Sequence, residues 1–296
     1  MREDSEVELL LDLHAECGEG PIWDPGTSTL IWVDIPPGRV HRYDPLSGQD
    51  EVYEVGQSTG AAAIRDSGGR VLAVRDGFAA LGARGGGFQM LAEVDIDDVR
   101  LEMNDGKCDT AGRFWAGTSV ELDLHIRPGE AALYRLDPDH QAHQMLTGVT
   151  LSNGLGWSPD DRFFYYVDTT TQRLDVFDFD RDSGAISNRR LLAEIPAELG
   201  FPDGLTVDAD GYIWLAVWGG WCVRRYAPDG TLDRVVKFPV SQISSCTFGG
   251  PDLTDLYVTS ATQTLSPEAR AAEPHAGALF RYSPGVKGLP PNSYRG

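Results

Sequence analysis

Apolar residues fall in short runs along this chain, separated by polar turns rich in Asp and Gly. No segment sustains the 3.6-residue apolar period of an amphipathic helix, so short β-strands are the predicted elements throughout. One phrase recurs: a polar turn, a β-rich run, a second turn, then a further strand ending in Asp or Pro. It reads DPGTSTLIWVDIPPGRVHRYDP from Asp24, RDSGGRVLAVRDGFAAL from Arg65 and DTAGRFWAGTSV from Asp109. It returns as SPDDRFFYYVDTTTQRLDVFDFD from Ser158, DADGYIWLAVWGGWCVRRYAPDG from Asp208 and GGPDLTDLYVTSA from Gly249. The first apolar residues after the opening turns are Leu30, Val71, Phe114, Phe164, Ile213 and Leu256, at steps of 41, 43, 50, 49 and 43. Six units of this period predict an all-β, six-bladed β-propeller filling residues 1–296 as a single domain. The strand-like run VELLLDL, Val7 to Leu13, precedes the first unit. It is expected to complete the last blade and close the ring, which removes the sheet edges.

Four short stretches hold one phase of this repeat. They are GEGP at 18–21, MNDG at 103–106, LSNG at 151–154 and FPDG at 201–204. Glu19 lies 11 residues before Leu30, Asn104 10 before Phe114, Asn153 11 before Phe164 and Asp203 10 before Ile213. Equal phase on the innermost strand means equal height and radius, with all four side chains facing the central channel. Counted the same way, the other two blades offer the small residues Ala61 and Cys246. Taken singly, each stretch is an ordinary turn. Together they set two carboxylates and two amides in a narrow channel, where like charges resist joint ionisation. A hard divalent cation resolves that conflict, and oxygen donors of this kind suit calcium or magnesium, and also manganese.

Charge narrows the partners. The chain has 25 Lys+Arg against 45 Asp+Glu, a formal net charge of −20. Such a field repels phosphate backbones and anionic lipid, so neither nucleic acid nor membrane is an expected partner. There is no apolar run of membrane-spanning length, and the N-terminus MREDSEVELLLDLH has neither the basic region nor the cleavage site of a signal peptide. The four cysteines, Cys17, Cys108, Cys222 and Cys246, are scattered without a CxxC pair and read as reduced core thiols of a cytoplasmic protein. A monomer or weak homo-oligomer acting on a small molecule is the expected form.

CGEGPIWD, IWVDIP, NDGKCDTAGRFWAGT, LSNGLGWS, ISNRR, PDGLTVDADGYIWLA, SSCTFGG, LYVTSA and the tail GVKGLPPNSYRG stand in an order that resembles the regucalcin (senescence marker)/gluconolactonase family of six-bladed propellers. The resemblance covers nearly the whole chain. It implies a divalent metal, calcium ahead of zinc, manganese or magnesium, held by Glu19, Asn153 and Asp203. It also implies hydrolysis of a sugar lactone, with Asn104 helping to hold the substrate. Asp203, a metal ligand with a free oxygen able to take a proton, is the candidate general base. Hydrolysis of another ester or a phosphotriester, or a calcium-binding regulatory role with weak lactonase activity, are the alternatives. One departure stands out: such proteins usually carry Arg two residues before the NDG Asn, and here that position is Glu102, with Arg100 two residues further upstream. Glu121 falls where the family often places a substrate-binding carboxylate.

Other stretches invite chemistry and are read as structure. GQSTG at 56–60 fits a nucleophile elbow around Ser58, but the next residues, AAAIRDSGGRVLAV, read as strand, turn, strand rather than strand, turn, helix. His140 and His143 of HQAH sit in an apparent hairpin turn, and EVDIDD at 93–98 lacks the Gly and terminal Glu of a calcium-binding EF-hand loop. WGGW at 218–221 differs: Gly-Gly between two Trp suggests a strand end opening onto the channel, with Trp218 walling the pocket. The long interruption 119–131 is expected to cover the channel mouth as a lid.

Overall fold

A computed structural model describes residues 6–94, 101–120 and 128–296. Arg100, Glu121, most of the EVDIDD turn and most of the expected lid therefore lie outside the described residues. The chain forms six four-stranded antiparallel sheets arranged as a six-bladed β-propeller. Blades one to five span residues 18–54, 59–93, 101–149, 152–194 and 201–237, each with its strands in sequence order. The sixth takes three strands from 243–282 and its outermost strand from the other end of the chain, where Glu8–Leu11 pairs with Leu279–Tyr282. That splice ties the two ends of the ring together through main-chain hydrogen bonds.

The residues that mark the repeat all stand first or second in the second strand of a blade. Leu30, Val71, Phe114, Phe164, Ile213 and Leu256 are all 0% exposed, clamped between neighbouring blades. Burying a side chain of this size contributes about 1.5–3 kcal/mol each. Two of the opening turns carry a further device. Asp109 accepts the backbone N–H groups of Ala111 and Arg113 on one oxygen, and on the other the Arg113 guanidinium and the Trp115 indole N–H. Asp208 repeats this with Asp210, Tyr212, Trp214 and, from the adjacent strand, Arg225. Each carboxylate thus closes its own turn and anchors a core Trp.

At the face opposite the carboxylate-bearing end of the channel, the C-terminal tail straps several blades together. The Lys287 carbonyl accepts from Ala209, Asn292 donates to the Cys108 carbonyl, and Tyr294 exchanges main-chain bonds with Ile64 and Asp66. Leu289, Pro290, Pro291 and Asn292 close a cavity of about 260 Å³ at that mouth. One short helix, Pro267–Ala272, capped by the Ser266 hydroxyl, precedes the last strand. Among the described residues no helix is long and apolar enough to cross a membrane. All four cysteines are buried thiols.

Candidate functional site

Strand register sets the height of each inner side chain. Leu30 pairs with Trp23, Phe114 with Cys108, Phe164 with Trp157 and Ile213 with Val207. Glu19, Asn104, Asn153 and Asp203 each lie four residues before that partner. The one-residue difference in sequence spacing therefore resides in the turn, not in the strand. The same count corrects the other two blades. Val71 pairs with Ala63 and Leu256 with Phe248, across longer turns, so the residues at this height are Thr59 and Ser244 rather than Ala61 and Cys246. Every inner strand also bulges at this step, gaining one residue over its partner. A bulge re-aims side chains, and here it sets the height at which the oxygen-bearing residues meet the channel.

Glu19, Asn104, Asn153 and Asp203 line one cavity of about 330 Å³ together with Trp218. Glu19, Asn153 and Asp203 are buried and Asn104 is half-buried. Burial raises the Glu19 carboxyl well above the usual carboxylate range, and the nearby Asp105 carboxylate adds to it. Asp203 is likewise pushed well up by burial, then by Glu19 and Asp105, against hydrogen bonds from the Asn153 side chain and the Gly204 N–H. Asp105 itself is raised by burial and opposed by Lys107. Lys107, whose ammonium donates to the Leu205 carbonyl at 2.6 Å, is lowered by burial and held up by Asp105. The carboxylates thus outnumber the nearby ammonium.

The amide of Asn153 is oriented. The Thr169 hydroxyl donates to the Pro202 carbonyl at 2.9 Å, so it accepts from Asn153 Nδ2, at 3.1 Å. Asn153 Oδ1 is left buried with no hydrogen-bond partner, an arrangement that costs free energy unless something else meets that oxygen. Among the described residues no three His, Cys, Asp or Glu side chains converge as a metal cluster. The donor set is instead two mutually repelling buried carboxylates and one orphaned amide oxygen, which fits a hard divalent cation. Asn104 commits its amide nitrogen to the Ser152 carbonyl at 2.8 Å.

Glu102 stands two residues before Asn104, directly across from Ser119 of the cavity wall; burial raises the Cys17 thiol, with Glu19, Asp203, Asp34 and, least, Glu102 adding to it. Trp218 ends its strand opposite Phe201, and Gly219 turns the chain away with φ +75°. Ser58 Oγ is buried without a partner and lies outside the cavity, ahead of the strand Thr59–Ile64 rather than a helix. His140 occupies the hairpin turn and stacks on Tyr294, while His143 lies on the following strand and meets Asp137 at 3.3 Å. Sequence reading missed Asp105, Lys107 and Thr169. Asp105 and Lys107 follow Asn104 in NDGK and carried a legible charge signal; Thr169 carried none, because its role depends on Pro202, 33 residues away in sequence.

Residues 17–262 match the model of the SMP-30/Gluconolactonase/LRE-like region. The chain belongs to that family. Regucalcin of Oryctolagus cuniculus is 38% identical over 98% of this chain and 99% of its own length. Regucalcin of Danio rerio is 40% identical over the same shares. A calcium-binding protein, regucalcin, from Agrobacterium tumefaciens superposes with a TM-score of 0.93 at 28% identity, covering 98% of both chains. A luciferin-regenerating enzyme superposes with a TM-score of 0.91 at 30% identity over 98% of this chain and 99% of that one. Family membership supports a lactonase-like hydrolase acting on a small molecule.

Proposed function

We propose that the protein is a divalent-metal-dependent hydrolase of the gluconolactonase type, opening the ring of a lactone. The observation that carries this reading is the pairing of two buried carboxyls of raised proton affinity, Glu19 and Asp203, with the orphaned Asn153 oxygen in one cavity. Glu19, Asn153 and Asp203 would hold the cation, with calcium first among the candidates. When bound, it supplies Lewis-acid polarisation of an ester carbonyl.

The protein's own groups do the rest. Asp203 takes a proton from water as the water oxygen bonds to the carbonyl carbon. The ring C–O bond then breaks, the proton passes to the departing ring oxygen, and a hydroxy acid leaves. General-base help of this kind is worth about 10²–10⁴-fold. Asn104, its nitrogen held by Ser152, offers its amide to the substrate.

The test is hydrolysis of a lactone panel after chelation and after return of calcium, manganese, magnesium or zinc. Chelation should abolish turnover, a divalent metal should restore it, and Asp203→Asn should lower kcat by about 100-fold or more. Ser58→Ala should leave the rate within about twofold, because Ser58 lies outside the cavity that Glu19, Asn153 and Asp203 line. Loss of activity in Ser58→Ala with indifference to chelation would overturn the reading.

A further inference from the structure

The wall above the carboxylates is lopsided. Two residues before the ring of Glu19, Thr59, Asn104, Asn153, Asp203 and Ser244 stand Cys17, Gln57, Glu102, Leu151, Phe201 and Gln242, one per blade. Cys17, Leu151 and Phe201 line the cavity, as do Trp218, Val120 and the hydroxyl-bearing Ser119, Thr170 and Thr264. Gln57, Glu102 and Gln242 occupy the equivalent step in the other three blades. Phe201 and Trp218 are directly opposed across their strand pair and so share one face. Phe201 remains 45% exposed, and Leu199 and Trp221 beside it on the same rim are 38% and 41% exposed. Large apolar groups grouped at the mouth of a concave site mark a surface that is covered when the site is used.

Resting on the lactonase reading above, we infer that the preferred substrate is a lactone carrying an alkyl or aryl substituent, which lies against Leu151, Phe201 and Trp218. A polyhydroxylated ring in the same pose would set most of its hydroxyls against the hydrocarbon of Leu151, Phe201 and Trp218, where, apart from Thr169, only the hydroxyls of Ser119, Thr170 and Thr264 among the described residues lie in the same cavity, a cost an apolar substituent does not incur. The substituent instead removes Phe201 and Trp218 from water while the ester end reaches Asp203 and Asn104. Glu102, on the polar side, accepts from at most one or two hydroxyls and cannot donate to them when ionised. Phe201 and Trp218 are thus specificity-determining residues.

The experiment compares kcat/KM for unsubstituted δ-valerolactone, an alkyl-substituted δ-lactone of nine carbons, a phenyl-substituted γ-lactone and glucono-δ-lactone, all with the metal-loaded protein. The alkyl and phenyl lactones should exceed both δ-valerolactone and gluconolactone by roughly tenfold or more, the usual scale for filling an apolar pocket. In Phe201→Ser the alkyl-to-valerolactone ratio should fall at least fivefold, and Phe201→Leu should keep most of it. A wild type that prefers gluconolactone, or ratios equal in wild type and Phe201→Ser, overturns the inference and leaves the lactonase reading standing. Hydrolysis of none of the four sinks both.

Discussion

Thr169 fixes the amide of Asn153: its hydroxyl is committed as a donor to Pro202, so the Asn153 amide nitrogen must turn to it and Asn153 Oδ1 is left buried without a partner. Thr169→Val keeps the shape and removes that instruction, leaving the amide free to flip. Groups that orient a metal ligand in this way are typically worth about 10–100-fold in affinity. Calorimetric titration with calcium or manganese should show a loss of that size in Thr169→Val and little loss in Thr169→Ser. Equal affinity in all three proteins would show that Asn153 needs no such support.

Gly154, beside Asn153, is a matter of clearance. A Cβ there would stand 2.4 Å from the Asp203 carbonyl oxygen and 2.8 Å from the Leu205 nitrogen, both backbone atoms of the next blade. Gly60 faces the same restriction from the Asn104 carbonyl of its own neighbour. Gly154→Ala should destabilise by about 1–3 kcal/mol, the range for overpacking, read from urea midpoints. Gly86→Ala, where nothing lies within 4 Å of the added carbon, should be near neutral.

Asp208 joins a turn, a core Trp and a guanidinium within one blade. Asp208→Ala leaves the buried Arg225 and the Trp214 N–H without that acceptor. Removing one member of a buried charged pair costs about 3–5 kcal/mol. Asp210→Ala, removing a 69% exposed carboxylate 3.8 Å from the same arginine, should shift the denaturation midpoint far less. Similar losses for the two variants would disprove the assigned difference.

Burial raises Glu19 and Asp203 above the usual carboxylate range, helped by Asp105 at Glu19 and by Glu19 and Asp105 at Asp203. In chelated protein the folded state therefore keeps protons that the unfolded chain has already released. Their contribution to stability falls as pH rises from the ordinary carboxylate range up through the raised values. A divalent cation replaces those protons, so its affinity should rise over the same window. Urea midpoints of chelated wild type against Asp203→Asn should converge at low pH and separate, with wild type the weaker, as pH climbs. Parallel curves would count against raised values.

Glu102 stands directly across its strand pair from Ser119, which lines the cavity. Glu102→Arg should move the kcat/KM ratio of gluconolactone to alkyl-substituted lactones toward the sugar, by about 5–150-fold for a gain or loss of about 1–3 kcal/mol in hydrogen bonding. An unchanged ratio across the panel would mean that Glu102 does not touch the substrate.

The six-bladed architecture was legible in the sequence, as was the common height of Glu19, Asn104, Asn153 and Asp203. Both were legible because the inner-strand spacing is constant: four residues separate each from the partner of the buried residue that opens the next strand. Counting across turns was less exact. Turn length varies between blades without altering the strands, which is why Ala61 and Cys246 gave way to Thr59 and Ser244. Trp218 at the pocket was legible from WGGW, but the orientation of Asn153, the neighbourhood of Lys107 and Asp105, and the joining of Leu151 and Phe201 to Trp218 in one cavity emerged only in the folded chain. Each depends on atoms that different blades bring to one channel, and hydrophobic periodicity along a single strand says nothing of what the adjacent blade presents.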